Sequence, residues 1–426
     1  MMTDVPVMTA VGGGFTEEES LIMPAIITWP TVVEEALKTY GSLFVNEPER
    51  RHFAEYLTGL LVAQRKTVSG INAEFAVTTD QSCLNRWITE VAWDVQALNE
   101  RRVTELQRDP STRYATQGVI ALDNTRIAHD GTLIEAVGWF WDHAEAKHQI
   151  AHDYLIAHYV CPSGKHYGLE CRRFRKEADC SPEEFKDHPA LFVELADWVV
   201  AHELPGDFTF DGYFTSAPIL NHLHSKHRGS VGDLKTNRKV EFGGRVWKAA
   251  ESAASIPVEA RKVVQIGERR QWYFTKTIRI PTVDHPVRLV ILWDRKNGAE
   301  PRKMRLTNKT CWEITRILRV SRKRWTGTET FHRDGKQHLG MGDCQLRSGE
   351  GQTRHLYLVL LAHSLLVTAM HQGRACEWAR VTLTTIGEAC RAVLRDTLQR
   401  TITWAIERAT VDAWTTPRIC QVLQLT

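Results

Sequence analysis

Three acidic residues stand where side chains of a folded sheet could meet. Asp123 follows the apolar run 118–122, Asp211 follows a predicted strand at 206–210, and Glu329 lies later, among basic residues. Side chains at the carboxyl ends of strands project into the ligand crevice of an open sheet. Either aspartate could instead begin a turn or cap a helix. We interpret the three acids as one site because a single site accounts for all of them.

Such a set suits metal-dependent chemistry on phosphate esters. Phosphodiester cleavage by two divalent ions about 4 Å apart needs hard oxygen ligands. Magnesium keeps several of its waters, so few carboxylates suffice. One ion activates a water or a 3′-hydroxyl, and the other stabilises the leaving oxygen. The sequence therefore predicts two Mg²⁺ ions, with Mn²⁺ as a substitute, held by Asp123, Asp211 and Glu329.

A helix is predicted around Glu329, beginning near Trp325. Spacings of three, four and seven place His332, Arg333 and Lys336 on the same face as Glu329. A carboxylate among cations can hold a metal and steer a phosphate. The alternative is an ordinary amphipathic helix with solvated charges.

Positive charge is concentrated just before this helix. The net charge of the whole chain is only +3, but residues 302–324 contain nine basic residues and one acid, Glu313. Such a run is often only a solvated face, yet its position favours a polyanionic partner. Earlier, Trp272 lies among cations and could stack on an unpaired base. Aromatic residues in strands are more often part of the core.

The composition is that of a soluble globular protein with two or three domains. The longest apolar run, 356–370, is too short to span a membrane and predicts a buried helix. Residues 1–29 lack the features of a signal peptide, so we expect a cytoplasmic location. The nine cysteines are scattered and form no Cys-x-x-Cys pair, which favours reduced thiols.

The elements that must position the acids change type along the chain. Residues 46–105 show helical periodicity around a basic turn at 64–71. This pattern suits a helix-turn-helix reader of DNA and a plain three-helix bundle equally well. After Pro110 short apolar runs predict strands that begin as antiparallel hairpins. Asp130-Gly131 is predicted to form a tight turn between the first two strands.

Four groups of residues resemble one family. They are, in order, Tyr56–Leu61 with Arg65-Lys66-Thr67, Leu122–Thr125 with Asp130-Gly131, Phe210–Tyr213 with Asp233–Arg238, and Arg324 through Glu329 and Lys336 to Gly340. Over most of residues 50–370 the chain resembles the insertion-sequence DDE transposases with an RNase H-like core. The particular group carries a Tyr-Arg-Glu-Lys signature on its Glu helix. A long β-rich stretch between the second and third acids is shared as well.

The resemblance implies that Asp123, Asp211 and Glu329 are the catalytic, metal-binding triad, and that Lys336 is the signature lysine. The signature arginine normally lies four residues before the Glu. Here that place holds Trp325, and Arg324 is one residue further away. The signature tyrosine would fall at Ser321, and Asn124 replaces a second acid. The DNA contacts that we predict are Lys336, Arg333, Arg324, Lys235, Arg238, Arg65, Lys66 and Trp272.

The expected fold class is α/β: an RNase H-like mixed sheet flanked by helices and interrupted by a β-rich insertion, with a helical N-terminal module and a helical C-terminal tail. The predicted divisions are a leader at 1–29, a helical DNA-binding module at 30–112, the first part of the core at 113–239, the insertion at 240–306, the second part of the core at 307–372, and a helical region at 373–426.

The expected function is that of a transposase of an insertion sequence. It would cut double-stranded DNA at terminal inverted repeats and transfer the 3′-hydroxyl into target DNA. By the resemblance it would act as a homodimer when bound to DNA ends, in the bacterial cytoplasm, associated with the nucleoid and not with a membrane. Two alternatives stay open: an RNase H-like nuclease without strand transfer, and a domesticated, non-catalytic DNA-binding protein.

Overall fold

Five helices form the N-terminal part of the fold. The computed structural model describes residues 23–142, 145–373, 377–378 and 381–425. Asn46 caps the second helix by accepting a hydrogen bond from Glu49 N at 3.0 Å, which favours a helix start at this point. The predicted helical periodicity of this region is confirmed. The helices are α1 (Thr31–Tyr40), α2 (Glu47–Val62), α3 (Val68–Ala73), α4 (Gln81–Thr89) and α5 (Val95–Arg108).

Twelve strands follow in the described part of the chain, and ten of them join one mixed sheet. They are β1 (Val119–Ala128), β2 (Gly138–Asp142), β3 (Lys147–Val160), β4 (His166–Phe174), β5 (Asp207–Phe210), β6 (Ser230–Asp233), β7 (Lys239–Phe242), β8 (Arg245–Lys248), β9 (Lys262–Ile266), β10 (Arg269–Ile278), β11 (Val287–Trp293) and β12 (Lys303–Thr307). The order in the sheet is β2-β3-β1-β5-β6-β12-β11-β10-β9, and β4 also pairs with β3. β5 is parallel to β1 and to β6, while the other neighbours are antiparallel.

The first strand is longer than the sequence predicts. We expected it to end at Leu122, but it continues to Ala128 because β3 pairs with it along its whole length. β5 covers only the part from Val119 to Ala121. Asp123 therefore lies inside a strand, just beyond the part that is paired on both sides.

The strands of the predicted insertion extend the same sheet. β12 pairs with β6, and β11, β10 and β9 follow in turn. β7 and β8 form a separate two-stranded sheet. The β-rich character of this stretch is confirmed, whereas the predicted domain boundaries stay predictions.

Seven helices complete the described fold: α6 (His188–Ala201), α7 (Ala217–Ser225), α8 (Ala249–Ala254), α9 (Ile314–His338), α10 (Gly349–His371), α11 (Ile386–Thr410) and α12 (Thr416–Val422). α9 carries Glu329 and begins 11 residues before the predicted start at Trp325, so it includes the end of the basic run. Ile317 and Leu318 in its first half pack with Leu292 of β11. Phe331 in its second half is fully buried in the main core.

α10 is the helix predicted from the long apolar run. Among the described helices it alone is long and apolar enough to cross a membrane, but 78% of its most apolar window is buried inside the protein. It packs against α2, α4 and α5 on one side and against β4 on the other. α10 is therefore a core helix. The predicted fold class is confirmed: an RNase H-like mixed sheet, flanked by helices, with helical regions before and after it.

Candidate active site

Asp123 lies on β1, and Asp211 directly follows β5, the parallel neighbour of β1. Ala121 of β1 pairs with Thr209 of β5, and each aspartate comes two residues later. The charge of Asp211 raises the pKa of Asp123, so the two carboxylates are near one another. Asp211 also begins a turn, since its Oδ1 accepts a hydrogen bond from Tyr213 N at 2.9 Å.

Glu329 is carried to this place by α9, which packs on β1, β3 and β5. Close approach depends on Gly327. A Cβ atom at this position would lie 2.4 Å from Val160 Cγ2 and 3.4 Å from Ala121 Cβ. Because Gly327 has no side chain, the helix can rest directly on β1 and β3 two residues before Glu329.

Arg324 joins the first and the third carboxylate. Its Nη1 lies 2.6 Å from Asp123 Oδ2 and 3.7 Å from Glu329 Oε1. Thr328 Oγ1 also donates to Asp123 Oδ2, at 3.3 Å. From the sequence we predict that Arg324 contacts a DNA phosphate. In this conformation the guanidinium binds the carboxylates instead.

The three acids share one electrostatic environment. Burial raises the pKa of Asp123 from 3.8 to about 6; Arg324 opposes this rise, and the charges of Asp211 and Glu329 add to it. The Asp123 side chain is 13% exposed, whereas Glu329 is 42% exposed. A cation beside Asp123 therefore favours its ionised form.

The donor set fits a divalent cation in its chemistry, because three carboxylates supply the hard oxygen ligands that Mg²⁺ and Mn²⁺ prefer. The arrangement does not yet fit. Among the described residues no group of three His, Cys, Asp or Glu side chains is close enough to hold a metal ion. Arg324 lies where two of the three carboxylates would converge. Arg324 would have to move away from these carboxylates before they could bind a metal ion together.

An open cleft of about 540 Å³ runs beside Glu329. We call it the carboxylate cleft; its lining includes Asn124, Arg126, Asp142, Glu329, His332 and Lys336. Lys336 Nζ donates to Arg126 O at 2.8 Å. Burial, together with the charges of Lys336 and Arg324, lowers the pKa of His332 to about 3, so this imidazole is neutral at pH 7. Arg333 is exposed and pairs with Asp334 at 3.2 Å.

A second, basic cleft of about 400 Å³ lies between α9 and strands β10, β11 and β12. Six cations line this basic cleft: Arg269, Arg302, Lys303, Arg305, Arg322 and Arg324. Asp233 is the one carboxylate among its described lining residues, and it pairs with Arg305 and Lys303. Trp325, which is 66% exposed, also lines it. The sequence showed the charge of this region, but not that strands and helix enclose it together.

A hydrogen-bonded chain beside the aspartates has only a partial signal in the sequence. His188 Nε2 lies 3.2 Å from Asp153 Oδ2, and His188 Nδ1 lies 3.3 Å from the Tyr213 hydroxyl. Asn124 Nδ2 donates to the other oxygen of Asp153, at 3.1 Å. Tyr213 could have been noticed from its place two residues after Asp211. Asp153 and His188 have no distinctive spacing: pairing of β3 with β1 brings Asp153 here, and His188 comes with α6, which packs on β3 and β4.

Two other predicted DNA contacts lie on the segment after β6. Lys235 Nζ lies 5.3 Å from the centre of the Tyr213 ring, close to Asp211. Arg238 lines a different shallow cleft, together with Ile280 and Thr282. Of the pair on the N-terminal basic turn, Arg65 is exposed.

Two predicted contacts are buried or half-buried. Lys66 is only 8% exposed and its Nζ donates to Ala63 O at 2.8 Å, so its role as a DNA contact stays a prediction. Trp272 is half-buried and packs against the main core, as aromatic residues in strands usually do. Alternation along β10 places Trp272 on the opposite face from Gln271, which lines the basic cleft. Trp325 is the exposed aromatic residue at that cleft.

Comparison with known proteins agrees with this site in part. A family model described as the transposase DDE domain matches residues 176–365. The matched span includes Asp211 and Glu329 but begins after Asp123. No curated protein is significantly similar to the chain. Over residues 176–365 the chain is thus similar to the DDE domain of transposases, and this similarity supports a DDE transposase that acts on DNA.

Proposed function

We propose that this chain is the transposase of an insertion sequence. It recognises terminal inverted repeats, hydrolyses a strand to expose a 3′-hydroxyl, and inserts that hydroxyl into target DNA by direct transesterification. One observation carries the proposal: Asp123 on β1 lies near Asp211, which follows the parallel strand β5, and near Glu329, and the similarity to a transposase DDE domain covers Asp211 and Glu329.

Asp123, Asp211 and Glu329 are the residues that would hold the divalent cations, two Mg²⁺ or Mn²⁺ ions. Cations bound to such carboxylates supply Lewis-acid chemistry to the attacking and leaving oxygens. The chain's own contribution is to orient the DNA strand and to concentrate positive charge along it. Lys336 lies in the same cleft as Glu329, and Lys235 lies beside Asp211, which suits contacts to flanking phosphates.

The partners in this proposal are two DNA ends and a target duplex, joined in a homodimer. The place of action is the bacterial cytoplasm, in association with the nucleoid. The basic run at the start of α9 supports a DNA partner, because cations clustered on one element give affinity for phosphates regardless of sequence.

The test is cleavage of a duplex that carries the terminal repeat, with Mg²⁺, by wild type and by Asp211→Asn. Asp412→Asn is the matched control, because Asp412 pairs with Arg408 near the end of the chain and lines neither cleft. We expect Asp211→Asn to bind the duplex normally when no divalent metal is present, and to cleave it with Mg²⁺ at least about 10³-fold more slowly. Cleavage by Asp211→Asn at the wild-type rate would refute the assignment.

A second assay separates a transposase from a nuclease that has the same core. Pre-cut repeat ends with a free 3′-hydroxyl are incubated with supercoiled plasmid, and joined products are counted. Joined products that depend on Asp211 support strand transfer. Cleavage of repeat ends without any joined product would contradict it.

A further inference from the structure

The basic cleft carries more positive charge than its neighbours balance. Asp233 pairs with Arg305 at 3.2 Å and with Lys303 at 3.4 Å. At the mouth, Arg269 and Arg302 share a single carboxylate, that of Asp294. Two acids thus face four of the six cations that line the cleft. Such an excess is suited to a polyanion whose phosphates follow one another along a groove.

Arg324 belongs to this cleft and to the acids at once. It is one of the six lining cations, and its guanidinium also contacts Asp123 and Glu329. Its side chain is 18% exposed, and the Glu329 that it contacts lines the carboxylate cleft, so Arg324 links the two regions. The guanidinium can satisfy its charge in two ways, with the carboxylates on one side or with an anion in the cleft on the other.

In either position Arg324 lies near another positive charge when no DNA is bound. While Arg324 holds the carboxylates, a divalent ion that shared their oxygens would stand within about 4 Å of a positive charge, where like charges repel strongly. If Arg324 turned into an empty cleft, it would approach Arg305 and Arg322. Burial lowers the pKa of Arg305, and the charges of Arg322 and Arg324 lower it further, against the effect of Asp233, so these guanidinium groups already repel one another.

We propose that the basic cleft is a binding site for the phosphodiester backbone of DNA, and that a backbone bound there draws Arg324 away from Asp123 and Glu329. The inference rests on the proposed function, because it assumes that the freed carboxylates bind a divalent cation. Backbone and metal then strengthen each other's binding. The coupling is reciprocal, since each ligand favours the same position of Arg324.

The experiment measures Mn²⁺ binding by the electron paramagnetic resonance of free Mn²⁺, without DNA and with a 30-base-pair duplex that lacks terminal repeats. Binding of Mn²⁺ by the duplex alone is subtracted. For the wild type we expect the duplex to increase Mn²⁺ affinity roughly 5- to 100-fold. For Arg324→Gln we expect tighter Mn²⁺ binding without DNA, by a similar factor, and little further increase with DNA.

Two variants on the same helix serve as controls. Arg322 lines the cleft, but the structure describes no contact from it to Asp123 or Glu329. Arg322→Gln should weaken duplex binding and leave Mn²⁺ affinity without DNA unchanged. Arg319 is exposed and is not among the lining residues of the cleft. Arg319→Gln should change neither the metal affinity nor the coupling.

The outcomes separate this inference from the proposed function. Equal Mn²⁺ affinity of wild type and Arg324→Gln, or no effect of the duplex on wild type, would overturn the inference. If Asp211→Asn bound Mn²⁺ as tightly as wild type, the metal would not be at these acids, and the proposed site would fall with the inference. Thermal unfolding checks that Arg324→Gln is folded. If it is not, the effect of the duplex on the wild type decides the matter alone.

Discussion

A methyl group at position 327 should lift the Glu329 helix from the sheet. The added Cβ would lie 2.4 Å from Val160 Cγ2, whereas carbon atoms in contact are about 3.5–4.0 Å apart. Val160 cannot easily move aside, because it is fully buried and its β-branched side chain is stiff. In Gly327→Ala the helix must therefore shift by roughly 1 Å.

The shift should affect catalysis more than stability. Overpacking costs about 1–3 kcal/mol, and replacing glycine by alanine inside a helix returns about 1 kcal/mol. The free energy of unfolding should then fall by no more than about 2 kcal/mol. A displacement of about 1 Å at a reacting group can slow a reaction by roughly 10²-fold. We expect a loss of that size for Gly327→Ala in single-turnover cleavage of a terminal-repeat duplex, because Glu329 moves with the helix.

The same helix offers a matched control. A Cβ at Gly335 would lie 3.1 Å from the Met341 sulfur, at the end of a flexible side chain. Gly335→Ala should therefore keep wild-type cleavage. Adding Val160→Ala to Gly327→Ala removes the clashing methyl group and should restore most of the activity. Wild-type cleavage by Gly327→Ala, or failure of the second substitution to rescue it, would refute this account of how Glu329 is positioned.

Three further results are expected. Burial raises the pKa of Asp123 from 3.8 to about 6, so its ionisation destabilises the folded protein as pH rises from 4 to 6. Without metal, the free energy of unfolding of Asp123→Asn, measured in urea, should therefore rise relative to that of wild type by on the order of 2–3 kcal/mol across this range. A difference that stayed constant with pH would contradict this. Burial lowers the pKa of His158 well below 6.5, and neither ring nitrogen has a hydrogen-bond partner among the described residues. Wild type should therefore lose stability as pH falls below 6.5. In the same assay His158→Leu should lose less stability than wild type between pH 7 and pH 5. Lys66→Met should keep wild-type affinity for a DNA duplex in fluorescence anisotropy, because Lys66 is buried, whereas Arg65→Gln should weaken it; a drop for Lys66→Met would show that the turn opens on DNA.

Local features of the fold were predictable from the sequence. Cap residues such as Asn46 and Asp80 act through hydrogen bonds two or three residues away, so helix starts could be predicted. The aspartates could be noticed because each follows a segment with the pattern of a short strand. The strand at 287–293 has a clear signal in the sequence, because buried strands are nearly continuous apolar runs and only Arg288 interrupts this one.

Features that depend on distant partners were not predictable. β1 continues beyond Leu122 only because β3, which begins at Lys147, pairs with it along its whole length. The sequence does not show that β12 would pair with β6 and extend the central sheet. Charge patterns, likewise, do not reveal partners: Arg324 binds Asp123, which lies about 200 residues earlier in the chain.

Lys66 illustrates the same limit at a single residue. Its polar neighbours Gln64 and Arg65 suggested exposure, and its burial depends on Gly340, which packs against its side chain. Gly340 lies beyond the Glu329 helix, far along the chain. The aliphatic part of a lysine side chain packs readily on apolar surface, so the residue type alone does not decide whether a lysine is exposed to solvent.

The position of α10 ties the first part of the chain to the last. α2, α4 and α5 pack on α10, and α1 is joined to α11 by hydrogen bonds from Thr31 to Asp396. During synthesis the N-terminal helices therefore emerge long before the surfaces that cover them. They cannot reach their final packing until about residue 371 has left the ribosome, and they would expose apolar faces until then. A product truncated before α10 would hold the region predicted to bind DNA without its hydrophobic partner, so this region is not expected to accumulate as a folded fragment.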